Sequence, residues 1–380
     1  MGFTQSLTHF LNLLDHRTLR ISNPFGLDIS DFSIEVMEIK SGWLKPELIS
    51  YGRQKLEPGI VENGVIYKKD KLVESIKKAL ETASPKRIKG NNCVLSLPES
   101  KVFTHIFNLP LDLKNNQIKK VLKYEIERFI PFPFDKTYFN FQVVSKNRKE
   151  FLQQVFFVGI PKEIVDDFYE VLKKSEIHPL AFDMESVALA RALIEEYNKG
   201  VGVMIADIGA RTAILSIFDQ GGLRLTFNFP IAGNKFTESL AKELKISLEE
   251  AETLKKTAGL NSKQVNEILK PQIQMIIEEI RKSIKYYETH KENKIEEIIL
   301  AGGSSLLLGL DKYLADELGL KVKIGNPLLK VKDSSGLSEK KNSILFATVL
   351  GLALRAAEKN PCTTGINLFP WVHWGERKIF

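Results

Sequence analysis

Residues 25–39, FGLDISDFSIEVMEI, open as an apolar run that meets an aspartate, cross a short polar stretch and resume in alternation. That order predicts a strand, a tight turn and a second strand. It returns at 204–218, MIADIGARTAILSIF, where Asp207 stands as Asp28 stood. A third extended segment follows each copy, ELISYGRQKL after the first and LRLTFNFPI after the second. So distant a repeat predicts two similar domains facing each other. Farther on, IEEIILAGGSSLLLGL (295–310) predicts a buried strand passing through Gly302, Gly303 and Ser304 into a helix.

Helical spacing marks other stretches. KLVESIKKALE (71–81) alternates lysine and glutamate around an apolar stripe, and EEAETLKK (249–256) puts Glu252 and Lys255 on one face. Ile118, Val121, Leu122, Ile126 and Phe129 define a further helix. It must stop near Ile130, because Pro131 disfavours helix in the residue before it, and Pro133 then enforces an extended exit. At the N-terminus, Phe3, Leu7, Phe10, Leu11 and Leu14 share a helical face suited to a membrane, a partner or the chain's own domain.

Composition narrows the class. A chain of 380 residues with 43% hydrophobic content can build two or three cores, which excludes a disordered or fibrous protein. Cys93 and Cys362 lie far apart without a metal-ligand pattern, so neither a disulfide framework nor a zinc site is expected, and a reducing cytosol is. The longest apolar run, ILFATVLGLAL (344–354), falls short of the ~20 residues a bilayer span needs. No cleavable signal peptide opens the chain, so no crossing of a membrane is expected. The net charge of +7 reads as a solvated lysine-rich surface, and no basic arm interleaved with aromatics supports nucleic-acid binding.

The repeated turns carry candidate chemistry. Glycine lets backbone N–H groups approach a phosphate, and an aspartate at a strand end coordinates a hydrated divalent cation. A single hairpin of this kind is more often an ordinary Asp-capped turn. Its second copy, together with a Gly-Gly-Ser junction whose N–H groups suit a nucleotide, favours a nucleotide site.

In this order GLDIS, ADIGART and LAGGSS resemble the two phosphate loops and the adenosine loop of the actin-like ATPase superfamily. The resemblance implies an α/β fold of the duplicated, ribonuclease H-like kind. It implies ATP or ADP with Mg2+ as cofactors, and magnesium-proximal positions for Asp28 and Asp207. Ser30, Asp31, Phe32, Gly209, Ala210, Arg211 and Thr212 would line the triphosphate. Gly302, Gly303 and Ser304, with Gly233, Asn234, Glu252 and Lys255, would meet the nucleoside; the alternative for Glu252 and Lys255 is a surface ion pair.

A narrower resemblance rests on EIERFIPFP (125–133), VGIPKEIVDDFYEVLKKSEIHPLAFDMESVALARAL (158–193) and GLALRA (351–356). From about Phe25 to Ala357 the chain resembles the PilM family, actin-like proteins of the type IV pilus assembly platform. That implies an N-terminal extension at 1–22, the first part of subdomain 1A at 23–97, a 1C-type α+β insertion at 98–182 and an interdomain helix at 183–200. Subdomains 2A and 2B with the helix returning to 1A follow at 201–357, then a tail at 358–380. It also implies a scaffold at the cytoplasmic face of the inner membrane that docks the N-terminal peptide of a PilN-like bitopic partner between 1A and 1C. An FtsA-like division protein and an actin-fold small-molecule kinase are the alternatives.

The chain departs from the superfamily at the first loop, where glycine is usual at Ser30 and lysine at Glu35. Losing a cation and gaining an anion about 8 Å from phosphate costs roughly 2 kcal/mol for each change at an effective dielectric near 20, unless Glu35 points to solvent. Asp31 adds a further anion. The water-orienting acid would fall on Glu185, with Asp183 second and a helix-capping acid as the alternative, and little or no ATPase activity is expected. Finally, GINLFP (365–370) resembles the INLLP segment that PilN presents. Ile366, Asn367, Leu368, Phe369 and Pro370 would then occupy the partner groove of the same or a neighbouring molecule. Packing on its own domain, the start of a fused PilN-like segment, and an interfacial anchor built from Trp371, Trp374 and Phe380 beside Arg377 and Lys378 stay open.

Overall fold

The computed structural model describes residues 23–42, 45–130, 132–196, 201–219, 222–290, 293–339 and 342–369. The N-terminal amphipathic stretch, Pro131, and the tail from Pro370 onward lie outside the described residues.

Strands β1 (Phe25–Ile29), β2 (Ser33–Lys40) and β3 (Glu47–Lys55) form an antiparallel meander. A short hairpin of β4 (Val61–Glu62) and β5 (Val65–Ile66) leads into helix α1 (Lys69–Glu81), which buries Leu72, Ile76 and Ala79. Strand β6 (Asn92–Leu97) pairs parallel with β1.

The insertion follows. It comprises β7 (Phe103–Pro110), α2 (Asn115–Glu125), β8 (Thr137–Asn147) and β9 (Leu152–Pro161), with β9 in the middle of a three-stranded sheet. Its core is its own: Phe107, Ile118, Leu122, Ile126, Val155 and Phe157 pack together. Helix α2 gives way to a single 3-10 turn at Ile126–Arg128, and Ile130 remains buried beyond it. Of the last elements of the 98–182 segment, helix α3 (Lys162–Lys174) packs on the first sheet and strand β10 (His178–Met184) joins it beside β6: Phe168, Val171 and Phe182 belong to that domain's core.

After α4 (Glu185–Leu193) the meander recurs as β11 (Val201–Ile208), β12 (Ala213–Asp219) and β13 (Gly222–Phe229). Helices α5 (Gly233–Leu244), α6 (Leu248–Ala258) and α7 (Lys263–His290) cover it, and β14 (Lys294–Ala301), α8 (Leu310–Leu318) and β15 (Lys321–Ile324) complete the domain. The sheets run β10-β6-β1-β2-β3 and β15-β14-β11-β12-β13, the same order twice, so the two hairpins sit at equivalent places. Strand β16 (Lys332–Asp333) extends the first sheet beyond β3. Among the described residues no helix is long and apolar enough to cross a membrane.

Helix α9 (Ala347–Ala356) returns the chain to the first domain and lies against α4 and β1. Gly351 lets α9 and α4 approach backbone to backbone, because a Cβ there would collide with the carbonyl of Ala188. Replacing Gly351 with alanine is expected to cost about 1–3 kcal/mol by overpacking. A chemical-denaturation midpoint indistinguishable from that of the parent would show that α9 has room to retreat.

Candidate functional site

A cleft of about 270 Å³ opens between the domains, lined by Asp28, Ser30, Asp31 and Phe32 on one side and by Asp207, Gly209, Ala210, Arg211 and Thr212 on the other. Gly302, Gly303 and Glu185 also line it. The repeat brings the two hairpins together because Asp28 and Asp207 end equivalent strands, β1 and β11.

The two loops differ in what their backbones offer. Ser30 Oγ accepts from the N–H groups of Ser33 at 3.1 Å and Phe32 at 3.3 Å, so the first turn satisfies donors that a glycine would leave to a phosphate. Gly209 has only the Thr212 carbonyl near the space a side chain would fill. Gly302, at φ +78°, touches β11 so closely that a Cβ would strike the Asp207 carboxylate.

Glu35 does not point to solvent. It is 4% exposed and faces Asp28 across the β1–β2 pair. Its partner is Arg53 on β3, whose Nε lies 2.7 Å from Oε1. Burial and the facing Asp28 carboxylate push Glu35 up to about 8, while Arg53 opposes them. The unpaired anion implied by the missing lysine is therefore met by an arginine one strand over. Sequence reading missed Arg53, although the meander places it across from Glu35 in register.

Asp31 and Arg211 face each other across the cleft mouth. Arg211 Nη1 lies 3.1 Å from Asp31 Oδ2, and its Nη2 donates to Asn63 Oδ1 at 3.0 Å. The N–H groups of Asn63 and Gly64 donate to the same Asp31 carboxylate at 2.9 and 3.0 Å. The β4–β5 hairpin thus joins the two loops into one clasp, a role for Asn63 that no motif signalled.

Acids crowd the floor. Ser96 Oγ donates to Asp28 Oδ1, and burial nonetheless raises the Asp28 carboxyl above its ordinary value. Burial, with Asp28 and Glu99 nearby, pushes Asp207 up to about 7. Glu185, first residue of α4, is raised well above the carboxylate range by burial and by Asp28, Glu99 and Asp207. Glu99, also missed from sequence, stands two residues past the end of β6 and is 3% exposed. It accepts from Ser186 Oγ at 2.8 Å in the first domain and from Thr226 Oγ1 at 3.1 Å in the second. Asp183, second choice for water orientation, is fully buried and paired with Arg355 at 2.9 Å and Arg191 at 3.0 Å, away from the cleft.

The nucleoside-side candidates form an adjoining cluster. Ser304 Oγ donates to the Gly209 carbonyl at 2.7 Å, and the N–H groups of Gly233 and Asn234 donate to the carbonyls of Gly209 and Ala210 at 3.1 and 2.7 Å. Lys255 is 9% exposed, pairs with Glu252 at 2.6 Å and donates to the Gly233 carbonyl at 3.1 Å, so this pair is tied into the loop rather than lying free on the surface. Against burial, bonds from Lys255, Thr237 and Lys256 hold Glu252 down to about 2.

Ile366, Asn367 and Leu368 are buried against the chain's own β10, and Phe369 packs beside them. Pro370 and the aromatic and basic residues after it lie outside the described residues.

Residues 26–357 match the family of type IV pilus assembly protein PilM. The solved PilM-PilN type IV pilus biogenesis complex superposes with a TM-score of 0.76 at 24% identity, covering 88% of this chain and 99% of that chain. The ethanolamine utilization protein EutJ of Carboxydothermus hydrogenoformans gives 0.53 at 17% identity, covering 92% and 98%. Cell division protein FtsA of Neisseria meningitidis is 28% identical over 201 residues, 46% of this chain and 47% of its own length. The matched region thus spans about half the length of such curated relatives. These likenesses show the fold to be actin-like.

The raised carboxyl of Glu35 sets a pH dependence. Ionising a group whose folded pKa lies above its unfolded one costs stability, so stability present near pH 4.5 is lost as pH rises through about 8. Glu35→Gln should leave the melting temperature unchanged at pH 5 and raise it by about 3 °C at pH 8. A fall at pH 8 would mean that the Arg53 pair outweighs burial and Asp28.

Proposed function

The chain belongs to the PilM family of type IV pilus assembly proteins, and from that premise we propose a cytoplasmic scaffold whose nucleotide cleft sets the relation between its two domains rather than driving chemistry. It docks the N-terminal peptide of a PilN-like membrane protein, and that partner holds it at the inner face of the membrane. The solved PilM-PilN complex, similar over most of this chain, supports the partner class.

The observation that carries the nucleotide reading is the convergence of both repeated loops and Gly302 on one cleft. MreB5 of Spiroplasma citri, solved with AMPPNP, has the same fold at a TM-score of 0.50 and 15% identity. The donor set suits a nucleotide with a hydrated ion. Asp28 and Asp207 offer two carboxylates, the arrangement that holds magnesium through its waters and the phosphates. Ala210, Arg211 and Thr212 line the end assigned to the phosphates, and Glu252 and Lys255, in the cluster beside the cleft, are assigned to the nucleoside. Binding is weakened on the first loop, where Ser30 holds the turn donors, and at the mouth, where Arg211 must leave Asp31 to meet phosphate. Burial and the acids around it raise the Glu185 carboxyl well above its ordinary value, which disfavours the anion that would orient an attacking water, so slow or absent turnover is expected.

Titration calorimetry of magnesium-ATP tests this reading. Binding weaker than about 10 µM and abolished by Asp207→Ala is expected, and no heat at millimolar ATP would leave a peptide-docking platform without a nucleotide. Ser30→Gly frees two amide donors and should tighten binding about tenfold; an unchanged constant would place phosphate away from the first loop. Phosphate release should stay at the level of a Glu185→Ala control.

A further inference from the structure

Strand β10 is the edge of the first sheet, and an edge strand presents unpaired N–H and C=O groups that recruit another chain segment. At Phe182 both are taken by residues near the C-terminus. The Phe182 N–H donates to Asn367 Oδ1 at 3.0 Å, and its carbonyl accepts from the Leu368 N–H at 2.9 Å. From the insertion, Asn140 Nδ2 donates to the Asn367 carbonyl at 3.1 Å. From α9, the buried Arg355 donates through Nη1 to the Ile366 carbonyl at 2.6 Å. Ile366 and Leu368 are 4% and 1% exposed, and the Phe369 ring sits 5.1 Å from that of Phe182 and 5.7 Å from that of Tyr169 on α3.

This groove therefore reads an extended segment through three carbonyl or amide contacts, one asparagine side chain and apolar seats on either side of it, the chemistry of strand addition. The reading contacts all come from residues of β8, β10, α3 and α9, far from the tail in sequence or across a turn. The connection at 358–365 is mostly exposed and ends at Gly365 with φ +68°. A cavity of about 360 Å³ continues past Ile366, lined by Val144, Phe156, Ala190, Phe218 and Leu223. The groove is thus longer than the segment filling it.

We propose that residues 366–369 are a tethered, exchangeable occupant of this groove. An incoming extended peptide of apolar, asparagine, apolar, aromatic order enters only by displacing them, and its preceding residues fill the vacant cavity. This rests on the reading of the protein as a scaffold that docks a partner's peptide. A tether of this length holds its segment at an effective concentration of about a millimolar, so an intact chain resists weak peptides and yields to strong or clustered ones.

The probe is a fluorescein-labelled synthetic peptide of residues 363–372, TTGINLFPWV, followed by anisotropy against the full chain and its Asn367→Ala variant. The peptide should bind the variant at least tenfold more tightly than the intact chain, and a peptide with alanine for asparagine should bind neither. Equal affinities, or no binding to either chain, would overturn the proposal. Hydrogen exchange on the intact chain avoids dependence on the variant's stability: excess free peptide should speed exchange of the Leu368 amide, and unchanged exchange would count against displacement. If this peptide discriminates as expected while a PilN-derived peptide does not bind the variant, the gate stands and the partner assignment falls.

Discussion

Asp183 and Arg355 are both fully withdrawn from water and lie 2.9 Å apart. Burial alone would raise the aspartate, but the guanidiniums of Arg355 and Arg191 outweigh it and hold the carboxyl below its ordinary value. Removing Asp183 strands the Arg355 charge in the core, at a cost of about 3–5 kcal/mol, whereas without Arg355 the carboxylate keeps Arg191. The pair reaches both functional regions. Asp183 lies two residues before Glu185, so anchoring it sets where α4 begins and aims Glu185 into the cleft. Arg355 turns its other donors to the carbonyls of Pro361 and Ile366, so the same ion pair seats the tail.

The cleft is governed by an excess of like charge. Asp28, Glu35, Glu99, Glu185 and Asp207 share a small volume, and all five are raised above their ordinary values. Two arginines moderate this: Arg53 within the first domain, and Arg211 from the second domain across to Asp31. The first makes a buried Glu35 tolerable. The second couples the domains by a contact for which a phosphate in the cleft would compete, since one guanidinium can serve either anion. Under the proposed nucleotide reading, ligand entry and the contact between the domains would draw on the same side chain.

The duplicated sheets, the three loops and the proline-stopped helix were legible because each leaves a local mark: a repeated hairpin, a Gly-Gly-Ser junction, an apolar period ending at a proline. The Glu35–Arg53 pair was not, since it depends on a strand partner whose register only the folded meander sets. Glu99 was hidden because an acid after an apolar strand is common in ordinary turns, and its two hydroxyl donors come from different domains. For the tail, INLFP was visible as a motif, yet the place of residues 366–369 on β10 depends on Asn140, Phe182 and Arg355, which share no local pattern with them.

The edge of the first sheet has a history as well as a structure. Phe182 and the Asn367 that covers it are 185 residues apart. At roughly 5–20 residues per second, a ribosome takes on the order of 10–40 s to make the intervening chain. Throughout that time β10 is already made while its cover does not yet exist. A nascent chain therefore carries an open strand edge beside apolar seats, the kind of surface that mispairs between neighbouring chains on one message. Folding of this protein in the cell is thereby tied to whatever shields β10 until Asn367 and Leu368 arrive.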